Sequence, residues 1–224
     1  METIHYAALL RGVAVNIMFQ GFRAIQKLPI NGVMVSQYGG HFQYLTIQGL
    51  ILASISMVLG MVFSIFSDLT VLYAAKRYVS MVALPVSVVI SLIYWSLLLL
   101  FPSLIIPAMG ADATGSSSAA PLLFYLPLHV DLSLHAVPAI SLILDFFLFE
   151  KKYSQREVGV APFVAVAFAS WYAIWVEYCS KMNGGIFPYP FLTENTQAGR
   201  IAIYIGATVF SLFSFNLINR LHRE

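Results

Sequence analysis

Apolar residues run along this chain in long unbroken blocks, not in strict alternation and not as narrow helical stripes. Each block is about twenty residues long, and the connections between blocks are short and polar. A run of ~20 apolar residues crosses the ~30 Å hydrocarbon core of a bilayer as a helix, because a helix satisfies its own backbone polar groups where water is absent. The pattern predicts six such helices, over residues 6–20, 42–66, 80–101, 124–149, 160–180 and 200–219. The fold class is therefore an all-α membrane protein, a bundle of six transmembrane helices in a single domain over residues 1–224.

Composition sharpens this reading. The chain is 59% apolar and only 10% charged, where a soluble domain carries about 25% charge. No repeat or inverted symmetry suggests a transporter built from two halves. Residues 101–107, FPSLIIP, read as a proline-broken interfacial piece, and residues 110–121, GADATGSSSAAP, as a flexible small-residue connection. The start, METIHYAALL, lacks the charged region and cleavage site of a secretory signal.

Lysine and arginine orient the bundle. One side is expected to hold Lys76, Arg77, Lys151, Lys152, Arg156, Arg220 and Arg223. The other holds Arg23, Lys27, Lys181 and Arg200. The richer side is cytoplasmic, and an even number of spans puts both termini there. The net charge of +2 follows from this asymmetry and leaves no basic stripe for nucleic acid. A single cysteine, Cys179, rules out an internal disulfide and a cysteine-built metal site. The histidines are too few in the membrane for a di-haem design, and no cluster has ligand spacing, so no cofactor and no metal are expected.

The informative residues are the polar ones inside the apolar blocks, since each charge costs roughly 2.5–3.5 kcal/mol at mid-helix on insertion scales. Arg11 in the first helix and Asp145 near the end of the fourth are expected at similar depth, where a structural ion pair satisfies both. The alternative is that Arg11 faces a lipid head group or a substrate carboxylate. His135 stands among leucines and valines, with Asp131 one turn earlier on the same helix face. His129 is turned away. Thr46 lies ~6 Å into the second helix and His135 roughly 10–12 Å into the fourth if Pro127 delays its start. Both helices begin on the same side, so the two residues can meet. A threonine in a membrane helix ordinarily bonds a carbonyl three or four residues back, and a lone histidine is ordinarily a hydrogen-bonded packing residue.

The same residues carry a family likeness. YGGHFQYLT, ending at Thr46, resembles the first signature of the family of the androgen-induced gene 1 protein and the androgen-dependent TFPI-regulating protein. His135 followed by Asp145 in HAVPAISLILD resembles its second signature. Arg11, Trp175, the YPFL of residues 189–192 and Arg200 match in order and at similar spacing. Departures at residues 110–121 and just before YPFL mark a distant member, fungal or otherwise non-animal.

The resemblance implies a multi-pass membrane hydrolase of fatty acid esters of hydroxy fatty acids. Thr46 would be the nucleophile and His135 the base, reacting through an acyl-threonine. Asp131 is a candidate third member, with a two-residue dyad as the alternative. Gln48, Trp175 and Tyr189 are candidate supporting donors, since the chain lacks a Gly-x-Ser-x-Gly elbow. A substrate carboxylate would want a cation, with Arg200 the first candidate and Arg11 the second. Arg200 has a plain structural alternative, a salt bridge to Glu177 or Asp131. The lipid ester would arrive from the bilayer, and no obligate protein partner is inferred. The family implies the endoplasmic reticulum or another endomembrane. Two other readings stand beside this one: a lipid-binding bundle without turnover, and a small transporter relaying through Asp131, His135 and Arg200.

Overall fold

The computed structural model describes residues 2–66, 68–106, 108–109 and 122–223. Its helices are α1 (Glu2–Ile25), α2 (Ile30–Ser36), α3 (Leu45–Ile65), α4 (Thr70–Leu100), α5 (Leu128–His135), α6 (Val137–Phe149), α7 (Gln155–Met182), α8 (Pro190–Thr193) and α9 (Gln197–Leu221). Two 3-10 turns, Gly40–Gln43 and Pro102–Leu104, join them. A two-residue antiparallel pairing sets β1 (Ala108–Met109) against β2 (Leu122–Leu123), with Ala108 opposite Leu123. The connection at residues 110–121 lies outside the described residues.

Among the described residues, four helices are long and apolar enough to cross a membrane: α3, α4, α7 and α9. The bent pair α5 and α6 makes a fifth if it counts as one span. The expectation of six is not met by length and composition, because His5, Arg11, Asn16 and Gln20 dilute the apolar character of α1. α1 nevertheless packs along α3, α5 and α6, and α3 lies at the centre against α4. Ala14, Met18, Ala53, Met57, Leu84, Leu134 and Phe215 form the shared core. α7 and α9 pack on one side, and they turn most of their surface outward.

The expected fourth helix, over residues 124–149, is broken. Residues 124–127 are not helical, Pro127 caps α5, and the chain bends by 44° between α5 and α6. Pro138 supplies the cause. It has no N–H for the Leu134 carbonyl, and its ring crowds the preceding turn. The bend falls directly after His135.

Lys76 and Arg77, expected in a loop, lie instead inside α4, which starts ten residues earlier than the apolar pattern predicts. Both are buried. Lys76 Nζ donates to Asp145 Oδ2 at 2.6 Å and also to Glu150. Arg11 Nε donates to Asp145 Oδ1 at 2.6 Å, and its Nη2 to Glu150 at 2.9 Å. Two cations and two carboxylates thus neutralise one another, which is what makes burial tolerable. Gly60 belongs to the same cluster. Its carbonyl accepts from Arg11 Nη1 at 2.9 Å, and a Cβ there would lie 2.7 Å from Arg11 Nε. Beside it, Arg77 grips Glu157 through Nε and Nη2, both at 2.9 Å, and its guanidinium lies 3.8 Å from the centre of the Tyr153 ring. Glu157 closes a capping box with Ser154 that starts α7.

The opposite end is closed by the YGG turn. Gly39 has φ +86°, and a Cβ on it would fall 2.6 Å from Cys179 Sγ, so only glycine fits. The Asn183 amide grips the Tyr38 backbone from both sides: its Oδ1 accepts the Tyr38 N–H at 2.7 Å and its Nδ2 donates to the Tyr38 carbonyl at 3.2 Å. Asn219 does the same to Tyr153 at the other end, at 2.7 and 3.3 Å.

Candidate active site

The YGG turn delivers the chain to the first turn of α3. Tyr44 is the N-cap residue, in extended conformation and without a side-chain cap, so Thr46 is the second helical residue. Its N–H has no partner within the helix. The Tyr189 hydroxyl accepts it at 3.4 Å. Burial pushes the Tyr189 phenol above its ordinary value, so the group stays neutral and keeps a proton to donate.

Thr46 does not bond a carbonyl of the turn before it, unlike other hydroxyls in these helices. Ser54, Ser64, Ser133 and Thr208 each donate to the carbonyl four residues back. For Thr46 that carbonyl is Phe42, and it is already taken by Gln48 Nε2 at 2.8 Å and Trp175 Nε1 at 3.1 Å. Gln48 and Trp175, two of the candidate donors, are thus spent on the loop that holds α3. Neither lines a cavity that Thr46 lines.

His135 ends α5. Its Nδ1 lies 2.7 Å from Asp131 Oδ1, one turn earlier, with both side chains buried. A carboxylate on Nδ1 favours the tautomer whose lone pair is on Nε2. The Tyr94 ring lies flat on the imidazole, with centroids 3.4 Å apart and planes 5° from parallel. His129 is exposed.

Two cavities meet here. The smaller, about 90 Å³, is lined by both Thr46 and His135, with Tyr94, Tyr189, Met34 and Phe124. The larger, about 330 Å³, lies between α4, α7 and α9 and is lined by Thr46 but not by His135. Thr46, Tyr94, Ile105 and Tyr189 form walls of both. Thr46 thus stands at the waist between two apolar chambers, at the positive end of a helix dipole. A hydroxyl, a carboxylate-held imidazole and a phenol line one mostly apolar cavity, a set suited to acyl transfer.

The two candidate carboxylate binders lie elsewhere. Arg11 is bound in the charge cluster at the far end. Arg200 makes a two-pronged pair with Glu177 at 2.7 and 2.9 Å, donates to the Asn195 carbonyl and rests 4.5 Å from the Phe187 ring centre. Neither arginine lines the cavities at Thr46. Tyr94 escaped sequence reasoning, since an aromatic residue in an apolar helix looks like any lipid-facing side chain. Its polar tip was the one available signal.

These features define a multi-pass helical membrane protein with a mostly apolar site between its helices. Residues 6–223 match the family described as FAR-17a/AIG1-like protein, and the chain belongs to that family. It is 29% identical over 185 residues to a UPF0641 membrane protein of Schizosaccharomyces pombe, covering 83% of this chain and 76% of that protein. No solved structure matches it.

Proposed function

We propose that this protein hydrolyses lipid esters of the fatty acid ester of hydroxy fatty acid type, through an acyl-threonine intermediate at Thr46. The observation that carries the reading is the chamber shared by Thr46 and His135, with Asp131 on the Nδ1 side of the imidazole. His135 Nε2 takes the Thr46 hydroxyl proton as Oγ1 attacks the ester carbonyl. The tetrahedral intermediate collapses, and His135 returns that proton to the departing alkoxide. Water then adds to the acyl-threonine, again giving its proton to His135. Acid leaves, and the threonine is restored. Tyr189 is the donor best situated for the oxyanion.

In the same proposal α1 is a sixth pass, and both termini face the cytoplasm in an endomembrane such as the endoplasmic reticulum. With Lys76 and Arg77 neutralised inside the bundle and Arg200 paired with Glu177, the orienting charges are Lys151, Lys152, Arg156, Arg220 and Arg223 against Arg23, Lys27 and Lys181.

The test uses purified protein in detergent with a branched fatty acid ester and a fluorophosphonate probe. Wild type is expected to turn over and label. Thr46→Ala does neither while still folded, and His135→Ala loses most of both. Hydrolysis and labelling that survive Thr46→Ala overturn the mechanism. Fatty acid binding without turnover in wild type points instead to the lipid-binding bundle that a 330 Å³ apolar cavity also suits.

A further inference from the structure

The two chambers differ in size, and His135 lines only one of them. We propose that the larger cavity holds the acyl arm of the ester and the smaller one the start of the alcohol arm, so that the protein selects substrates by acyl-chain length, with Ala165 and Ala207 setting the limit. This rests on the reading of Thr46 as nucleophile and His135 as base.

The assignment follows from the direction of proton transfer. The base returns its proton to the alkoxide oxygen, so that oxygen must lie on the side of His135. His135 faces the 90 Å³ chamber. With the carbonyl carbon at Thr46, the acyl chain has the other direction left to it, into the 330 Å³ cavity.

The dimensions agree. The α4 wall of the larger cavity runs from Tyr94 to Met81, ~20 Å at 1.5 Å per residue, and the α9 wall from Ile203 to Ser211, ~12 Å. One leaflet of a bilayer core, the reach of an ordinary lipid acyl chain, is ~15 Å. No charged side chain lines the cavity, and the Thr208 hydroxyl is spent on the Tyr204 carbonyl at 2.7 Å. A methyl-ended chain suits such a space. A carboxylate there would meet no cation to pair with. The free carboxylate of such an ester belongs to the hydroxy fatty acid, so an alcohol arm on the His135 side keeps it out of this cavity. The smaller chamber, about 90 Å³ against about 330 Å³, holds only the start of that arm, and the rest must continue outside it.

Length is then read between α7 and α9, whose residues from Ala165 to Tyr172 and from Ile203 to Ser211 wall the larger cavity. Ala165 and Ala207 line it beyond the Thr46 end, with small side chains that leave the path open. A phenyl ring at either position closes it part-way.

The test compares labelling rates by butyl and hexadecyl fluorophosphonates, whose alkyl group takes the place of the acyl chain. The Thr46 Oγ1–P bond forms, the P–F bond breaks, and the hydroxyl proton passes to His135 as fluoride leaves. The ratio of hexadecyl to butyl rates is expected to fall ~10-fold or more in Ala207→Phe and in Ala165→Phe. It stays at the wild-type value in Ala202→Phe, on the exposed side of α9. An unchanged ratio in both cavity variants overturns the assignment. A change confined to discrimination among alcohols at constant acyl chain means the arms are reversed. A wild type that neither labels nor hydrolyses removes the nucleophile itself, and this proposal with it.

Discussion

His135 Nδ1 and Asp131 Oδ1 lie 2.7 Å apart inside one short helix, and the helix ends at that histidine. A pair one turn apart needs no tertiary packing to find its geometry. The fold adds what the pair alone lacks: burial, the Tyr94 ring across the imidazole, and a bend that turns the next residues aside.

Asp131→Asn keeps the shape of the pair but favours the imidazole tautomer with its proton on Nε2. We expect kcat to fall ~10²–10⁴-fold, with the melting temperature close to wild type. Steady-state kinetics beside a thermal melt check this. An unaffected kcat would leave a dyad of Thr46 and His135.

Tyr189→Phe removes the hydroxyl beside the Thr46 N–H. A loss of ~10²–10³-fold in kcat with KM little changed is the signature of a donor used in the transition state. A rise in KM alone would make Tyr189 a wall of the cavity and nothing more.

Pro138→Ala restores an N–H where the Leu134 carbonyl lacks one, and the 44° bend is expected to relax. Stability holds or rises, while activity drops ~10²-fold because the imidazole shifts relative to Thr46. Full activity would show that the bend does not aim the histidine.

Asp145→Asn leaves Arg11 and Lys76 with a weakened partner in a buried cluster. Unfolding in detergent is expected to become easier by ~3–5 kcal/mol, with activity per folded molecule unchanged. Gly60→Ala strains the same cluster from the other side. Wild-type melting in both variants would mean the cluster is solvated.

The helical passes were legible because apolar runs in lipid have one solution. The start of α4 was not. Lys76 and Arg77 look like a charged connection between two apolar blocks, and only folding brings Asp145, Glu150 and Glu157 to them from beyond residue 140. The break near His135 is half legible: Pro127 predicts a late start, while Pro138 sits inside a continuous apolar run that reads as one helix. At the site, the spacing of Asp131 and His135 could be read directly. That Thr46 and His135 share a chamber depended on two helices meeting at one depth. The Tyr94 stack joins residues with no pattern in common, so no periodicity could announce it.

Helix α7 is tied down at both of its ends. Arg77 holds Glu157 at one, with Asn219 clasping Tyr153 just before the helix, and Asn183 clasps Tyr38 at the other. A rod fixed at two points cannot swing like a door. It can only bow, and most at mid-length, beside the larger cavity. A bowed rod opens a slit, not a gateway, and a slit admits a single extended hydrocarbon tail more readily than a head group.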